Sequence, residues 1–223
     1  MRDSAGISPA SLHHDSSTRY FWLPTLPNPM TDADDTTDGA PTEDPRPDGL
    51  RRADSLVVVN TGNGKGKSSA AFGTMLRAIA RGWNVAVVQF VKSGDWKVGE
   101  ETMGERLGVE WLAVGDGFTW DSDDLEHDRQ LAAEGWAKAA ALIESGEYDL
   151  VILDEITYLP SFGWLGAGAI ADVIRNRPSH VNVIVTGRDA ADEIVELADT
   201  VTEMREVKHA YQQGIRAMRG IDY

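Results

Sequence analysis

Residues 55–69 read SLVVVNTGNGKGKSS: an apolar strand, Ser55 to Asn60, runs into a loop with glycines at 62, 64 and 66, then a lysine and two serines. Without side chains at Gly62, Gly64 and Gly66, the loop amides can turn inward and come close to phosphate oxygens. Lys67 adds a full positive charge. Downstream, Phe72, Met75, Leu76 and Ile79 recur at helical spacing until Gly82. A helix therefore opens at the end of the loop and points its unpaired N–H groups and dipole at the same anion. Ser68 stands where its hydroxyl can reach Mg2+. The pattern is that of a P-loop, G-x-x-x-x-G-K-[ST], save that Thr61 takes the first position. A glycine-rich turn without a ligand is the competing reading, but the strand, the helix and the GKS order each fall where phosphate binding needs them. Thr61, Gly62, Asn63, Gly64, Lys65, Gly66, Lys67, Ser68 and Ser69 are therefore expected to hold a triphosphate.

Beyond that unit, apolar runs keep alternating with amphipathic ones. Strands are expected at Asn84 to Val91, Val109 to Ala113, Leu150 to Leu153, Asn182 to Thr186 and Thr200 to Arg205. Helices are expected near Glu100 to Leu107, from Asp124 to Ser145 with Trp136, Ala139, Ala140 and Ile143 on one face, and through Ile194, Val195 and Ala198. This predicts an α/β fold of the P-loop NTPase, RecA-like kind: a mostly parallel sheet with helices on both faces. Leu150 to Glu155 (LVILDE) is an apolar strand ending in two carboxylates, the Walker B layout, so Asp154 and Glu155 join Ser68 as expected Mg2+ ligands. Exposed strand-end acids are the bland alternative.

Residues 1–54 are rich in Ser, Thr, Pro and Asp without sustained periodicity, and are expected to form a mostly disordered acidic arm ahead of one domain over 55–223. The acidic run that opens at Met30 differs from what precedes it, so Met30 is a candidate start of translation and 1–29 a candidate over-extension. The chain has no cysteine, which excludes disulfides, Cys-ligated metal and a thiolate nucleophile and fits a reducing, cytoplasmic setting. No apolar run approaches the roughly 20 residues needed to cross a bilayer, so no membrane role is expected. A formal charge of −15 makes nucleic acid an unlikely partner, because a polyphosphate backbone would be repelled.

A P-loop with a Walker B strand can serve hydrolysis, phosphoryl transfer or adenosyl transfer, since all three need a neutralised triphosphate. Glu155 could orient water in an ATPase, and a non-catalytic nucleotide- or corrinoid-sensing module is a third class. His127, His180 and His209 are scattered and form no metal-ligand pattern.

Over Ser55 to Tyr223 the chain resembles the P-loop type of ATP:corrinoid adenosyltransferases. The segments carrying the likeness are TGNGKGKSSAAFG (61–73), VVQFVK (87–92), GFTW (117–120), LDEITY (153–158), VTGR (185–188), LADTVTEMR (197–205), VKHAY (207–211) and GIDY (220–223). The Thr61 variant of the loop is the family's own, and Ser68 and Ser69 stand where threonines are more frequent. The resemblance implies that cobalt(I) of a reduced corrinoid, either cob(I)alamin or cob(I)yrinic acid a,c-diamide, attacks the ribose 5′ carbon of ATP and releases triphosphate. It implies catalytic roles for Lys67, Phe118 and Trp120, the two aromatics lying on the lower face of the corrinoid to withhold an axial ligand from cobalt. Arg188 is implied as a further nucleotide contact. Also implied are a homodimer, an electron donor of flavoprotein or ferredoxin-like type, and a triphosphate held in reversed direction. Exposed basic residues at a strand end remain the plain reading of Arg188, Lys208 and His209, and two buried core aromatics that of Phe118 and Trp120.

Overall fold

The apolar runs form six strands among the described residues: β1 Val57–Thr61, β2 Val85–Phe90, β3 Glu110–Val114, β4 Leu150–Asp154, β5 Asn182–Thr186 and β6 Thr200–Glu203. The computed structural model describes residues 49–91, 98–114 and 125–222. Arg51–Tyr223 make one compact unit, and of the other, Met1–Leu50, only residues 49 and 50 are described. The expected arm therefore lies outside the described residues as far as residue 48, and so does Met30.

All six strands are parallel, in the order β3-β2-β4-β5-β1-β6. The loop-bearing strand β1 and the acid-bearing strand β4 thus flank β5. Among the described residues, six α-helices lie between the strands in sequence: α1 Lys67–Ile79, α2 Gly99–Arg106, α3 Leu125–Ser145, α4 Tyr158–Ser161, α5 Ala167–Arg175 and α6 Asp192–Leu197. Because side chains alternate along a strand, the inner strands β1, β2, β4 and β5 each feed two cores. Val59, Phe90, Leu153 and Val185 pack with Trp136 and Ile143 of α3, Ile170 and Ile174 of α5, and Ile194 of α6. Val87, Ile152 and Ile184 face the other way, onto Ala71, Phe72, Met75 and Ala78 of α1. Parallel sheets covered on both faces need such unbroken apolar runs, and β2 and β4 are buried at every position.

Three features differ from the sequence expectation. Helices α4 and α5 stand where no element was expected, although in α5 Ala167, Ile170, Ala171 and Ile174 form an i, i+3, i+4, i+7 stripe and all four are buried. Leu76, expected on the packed face of α1, is exposed: the buried stripe is Ala71, Phe72, Met75 and Ala78. Leu76 lies one step around the helix, beside a shallow apolar groove shared with Phe72, Met103 and Ile221. Strand β6 stops at Glu203, short of Arg205, and is exposed at all four positions.

Candidate active site

Strand β1 delivers its loop to the C-terminal edge of the sheet, the edge at which open parallel sheets bind ligands. Two backbone bonds clamp the loop to the exit of β6: Met204 N–H donates to Thr61 O at 2.8 Å, and Gly64 N–H donates to Met204 O at 2.6 Å. A Cβ on Gly62 would come 2.6 Å from Met204 O, and one on Gly64 2.8 Å from the Arg205 carbonyl. These glycines are required by the close pass of β6 as well as by any phosphate. The Gly64 amide, expected to face inward, is engaged by Met204 instead. Thr61 Oγ1 accepts from Ala190 N at 3.2 Å, tying the loop to the segment after β5. Helix α1 then starts at Lys67 with Gly66 as N-cap, in left-handed conformation (φ 108°) and with no side-chain capping bond. A helix start without a side-chain cap is one at which first-turn N–H groups can serve an anion.

Beside the loop, the ends of β2, β4 and β5 form a buried polar corner. Gln89 is the register partner of Asp154 across β2 and β4, and its Nε2 donates to Asp154 Oδ2 at 2.8 Å. Thr186 Oγ1 donates to Asp154 Oδ1 at 2.6 Å and accepts from Glu155 N at 2.9 Å. Asp154 is fully buried, so its charge is held by donors from both neighbouring strands. Glu155 takes a left-handed φ of 61°, as do Val91 (62°) and Asp189 (50°), each just past a strand end at this edge. Such backbone persists in non-glycine residues only where the surroundings impose it, and it clusters at sites. Thr157, also buried, donates to Arg188 O at 2.6 Å and so pins the segment that carries Arg188.

The loop and the corner enclose a cavity of about 460 Å³. Of the residues expected to form the site, Asn63, Gly64, Lys65, Gly66, Lys67, Ser68, Ser69, Glu155 and Arg188 line it. Thr61, Gly62 and Asp154 do not. Phe118 and Trp120 lie outside the described residues. Gln89, Glu100, Tyr158, His209 and Asp222 also line the cavity without having been assigned to it from sequence. Gln89 had a local signal, a polar side chain within the apolar run VAVVQF. Burial lowers the Lys67 pKa, and the Arg188 guanidinium lowers it further, against the pull of Glu155 and Asp154. Lys67 Nζ donates to Gly64 O at 2.8 Å. Burial, and then the Glu155 carboxylate, push the Tyr158 phenol up, so it keeps its proton and can donate.

A comparison with protein families matches residues 53–223 to the ATP:corrinoid adenosyltransferases BtuR/CobO/CobP. The chain is similar to the corrinoid adenosyltransferase of Escherichia coli, 44% identical over 168 residues, which cover 75% of this chain and 85% of that one. It is similar also to corrinoid adenosyltransferase CobA of Salmonella typhimurium, 43% identical over the same shares. To the corrinoid adenosyltransferase of Pseudomonas aeruginosa it is 42% identical over 75% of this chain and 83% of that one. With this match over the whole P-loop unit, the chain belongs to the ATP:corrinoid adenosyltransferase family, whose function is the ATP-dependent transfer of an adenosyl group to a corrinoid.

Proposed function

We propose that this protein transfers the 5′-deoxyadenosyl group of ATP to cobalt(I) of a reduced corrinoid, cob(I)alamin or cob(I)yrinic acid a,c-diamide. The cobalt–carbon bond forms as the C5′–oxygen bond breaks, and the electron pair leaves with triphosphate. The observation that carries this reading is the single cavity that gathers Lys65, Lys67 and Arg188 with the Ser68 hydroxyl and the Glu155 carboxylate. A departing polyanion needs fixed positive groups where its charge grows, and cobalt(I) supplies the nucleophile itself. Lys67 and the first-turn amides of α1 would hold the leaving group, with Arg188 held at the rim by Thr157.

The donor set fits Mg2+. Ser68 and Glu155 are hard oxygen donors on one cavity, and among the described residues no group of three His, Cys, Asp or Glu gathers that could bind an ion by itself. Mg2+ is usually shared between a protein oxygen or two and the phosphates, which suits such a sparse set. Both Asp154 oxygens accept bonds from Gln89 and Thr186, so Asp154 would orient Glu155 and the strand end while Glu155 faces the ion. When bound, Mg2+ would neutralise part of the triphosphate charge.

Phe118 and Trp120 are proposed as the apolar lower face that keeps cobalt free of an axial ligand. A homodimer, a flavoprotein or ferredoxin-like electron donor and a cytoplasmic setting complete the reading. No helix among the described residues is long and apolar enough to cross a membrane.

The test is anaerobic turnover with ATP and chemically reduced corrinoid. Inorganic triphosphate and a light-sensitive organocobalt product are expected, both lost in Lys67→Ala. Orthophosphate release without corrinoid would support an ATPase, and full activity in Lys67→Ala would overturn the role of the loop.

A further inference from the structure

Three cationic side chains, Lys65, Lys67 and Arg188, line the cavity together with three carboxylates, Glu100, Glu155 and Asp222. Leaving His209 aside, the three cations and three carboxylates of the described lining balance, which is unexpected for a site that takes a highly charged anion. Glu155 is accounted for by the cation it would share with the phosphates. Asp222 is not. Its Oδ1 is paired with the Lys65 ammonium, and its Oδ2 accepts from Met218 N at 2.8 Å. Ile221 N and Asp222 N both donate back to Met218 O, at 3.1 and 2.8 Å, which closes residues 218–222 into a tight turn at the cavity mouth. Lys65 lies within the loop itself, between Gly64 and Gly66, so the carboxylate meets an ammonium that a phosphate oxygen would otherwise take. The hydrogen bonds from Lys65 and Met218, with the charges of Lys65 and His209, hold the Asp222 carboxyl below its usual range. It is therefore anionic throughout the neutral range.

We propose that Asp222 is a resident competitor for Lys65 that weakens the hold of the cavity on free triphosphate and so limits inhibition by that product. This rests on the reading of the cavity as the triphosphate site. Both side chains are partly exposed, 57% for Lys65 and 22% for Asp222, so the pair can open without unfolding anything around it. Exchange of one anion for another at Lys65 needs only that small opening. Elsewhere on the molecule, the apolar groove beside Leu76 and the exposed edge of β6 have no feature that identifies an occupant.

The experiment is calorimetric titration of the full chain with inorganic tripolyphosphate and Mg2+, with inhibition of turnover by added tripolyphosphate as the second readout. Asp222→Asn is expected to tighten binding about fivefold and to lower the inhibitory concentration in step, the size expected from removing one partly exposed competing charge. Asp222→Glu, which keeps the carboxylate, is expected to restore the wild-type value. In a Lys65→Ala background, Asp222→Asn is expected to change nothing. Unchanged or weaker binding in Asp222→Asn would overturn the proposal, the latter by showing that Asp222 positions Lys65 for phosphate. Tightening that survives without Lys65 would overturn it too, as a general charge effect. Tripolyphosphate binding that Lys67→Ala leaves intact would instead overturn the assignment of the cavity.

Discussion

The buried corner and the loop mouth hold their charges in opposite ways. In the corner, the Asp154 carboxylate accepts hydrogen bonds from the neutral side chains of Gln89 and Thr186, and all three residues are buried. At the mouth, Lys65 meets Asp222 as an ion pair open to solvent. A charge bonded by fixed dipoles in a low-dielectric place is set when the chain folds, and moving it means breaking several interactions together. A partly exposed ion pair is screened, weak and exchangeable. The site thus has a rigid side, which fixes where Glu155 and Arg188 stand, and an adjustable side, where a ligand can replace a protein group. Substitutions in the corner are therefore expected to act on folding and geometry, whereas Asp222→Asn is expected to leave the melting temperature unchanged.

The largest effect is expected from Gly187→Ala. Gly187 has a φ of 141°, and a Cβ there would stand 2.0 Å from Thr157 Oγ1. Backbone strain and a clash with a buried side chain add, for a loss of about 3 kcal/mol. Urea denaturation measures it. A loss no larger than that of an ordinary surface substitution would show the corner to be as pliable as the mouth.

Next comes Asp154→Ala, which leaves the Gln89 amide and the Thr186 hydroxyl buried without their acceptor. A cost of about 2 kcal/mol is expected, with the Glu155 strand end displaced and Mg2+-dependent nucleotide binding weakened. Thr157→Val is milder, about 1 kcal/mol: the shape is kept and only the bond to Arg188 O is lost. Its sharper readout is a weaker affinity for tripolyphosphate, because Arg188 is no longer pinned. If affinity held while stability fell, Arg188 would be positioned by something other than Thr157.

The contrast between corner and mouth also explains what could be read from sequence. The strand, loop and helix from β1 to α1 were legible because the apolar run, the glycines and the helix start are contiguous in one stretch. The strands were legible from apolar runs, and the two-sided core from their alternation. The stripe of α5 was there to be found in Ala167, Ile170, Ala171 and Ile174, but it is short and follows a segment dense in glycine and aromatics. Leu76 misled because helical spacing marks a broad face, and only the packing partner decides which edge of it is covered. The bond between Gln89 and Asp154 joins residues 65 apart, and that between Lys65 and Asp222 residues 157 apart. Those pairings depend on strand order and on the path of the chain after β6, and no local pattern records either. The clamp of Met204 on the loop is illegible for the same reason: the glycines that permit it look like phosphate-binding glycines.

The smallest effect expected is a pH dependence at Lys67, which lies between the two regions. Burial first, and Arg188 second, lower its pKa from 10.5, while Glu155 and Asp154 pull the other way. The folded value lies below the unfolded one, so between the two the unfolded chain binds more protons, and stability rises with pH across that window. The penalty of holding a charged Lys67 is fully present below the lowered value and is relieved above 10.5. The group is only partly buried, so this contribution to stability is small. Binding has the opposite sign. A polyphosphate favours the ammonium, raising the Lys67 pKa when it binds, so affinity falls as pH rises through the lowered value of the free protein. Following the Lys67 Cε signal by NMR, identified by its loss in Lys67→Ala, should give a midpoint below 10.5 in free protein and a higher one with tripolyphosphate. A free-protein midpoint at or above 10.5 would place Lys67 with the exposed charges of the mouth. The rigid side of the site would then end at Glu155.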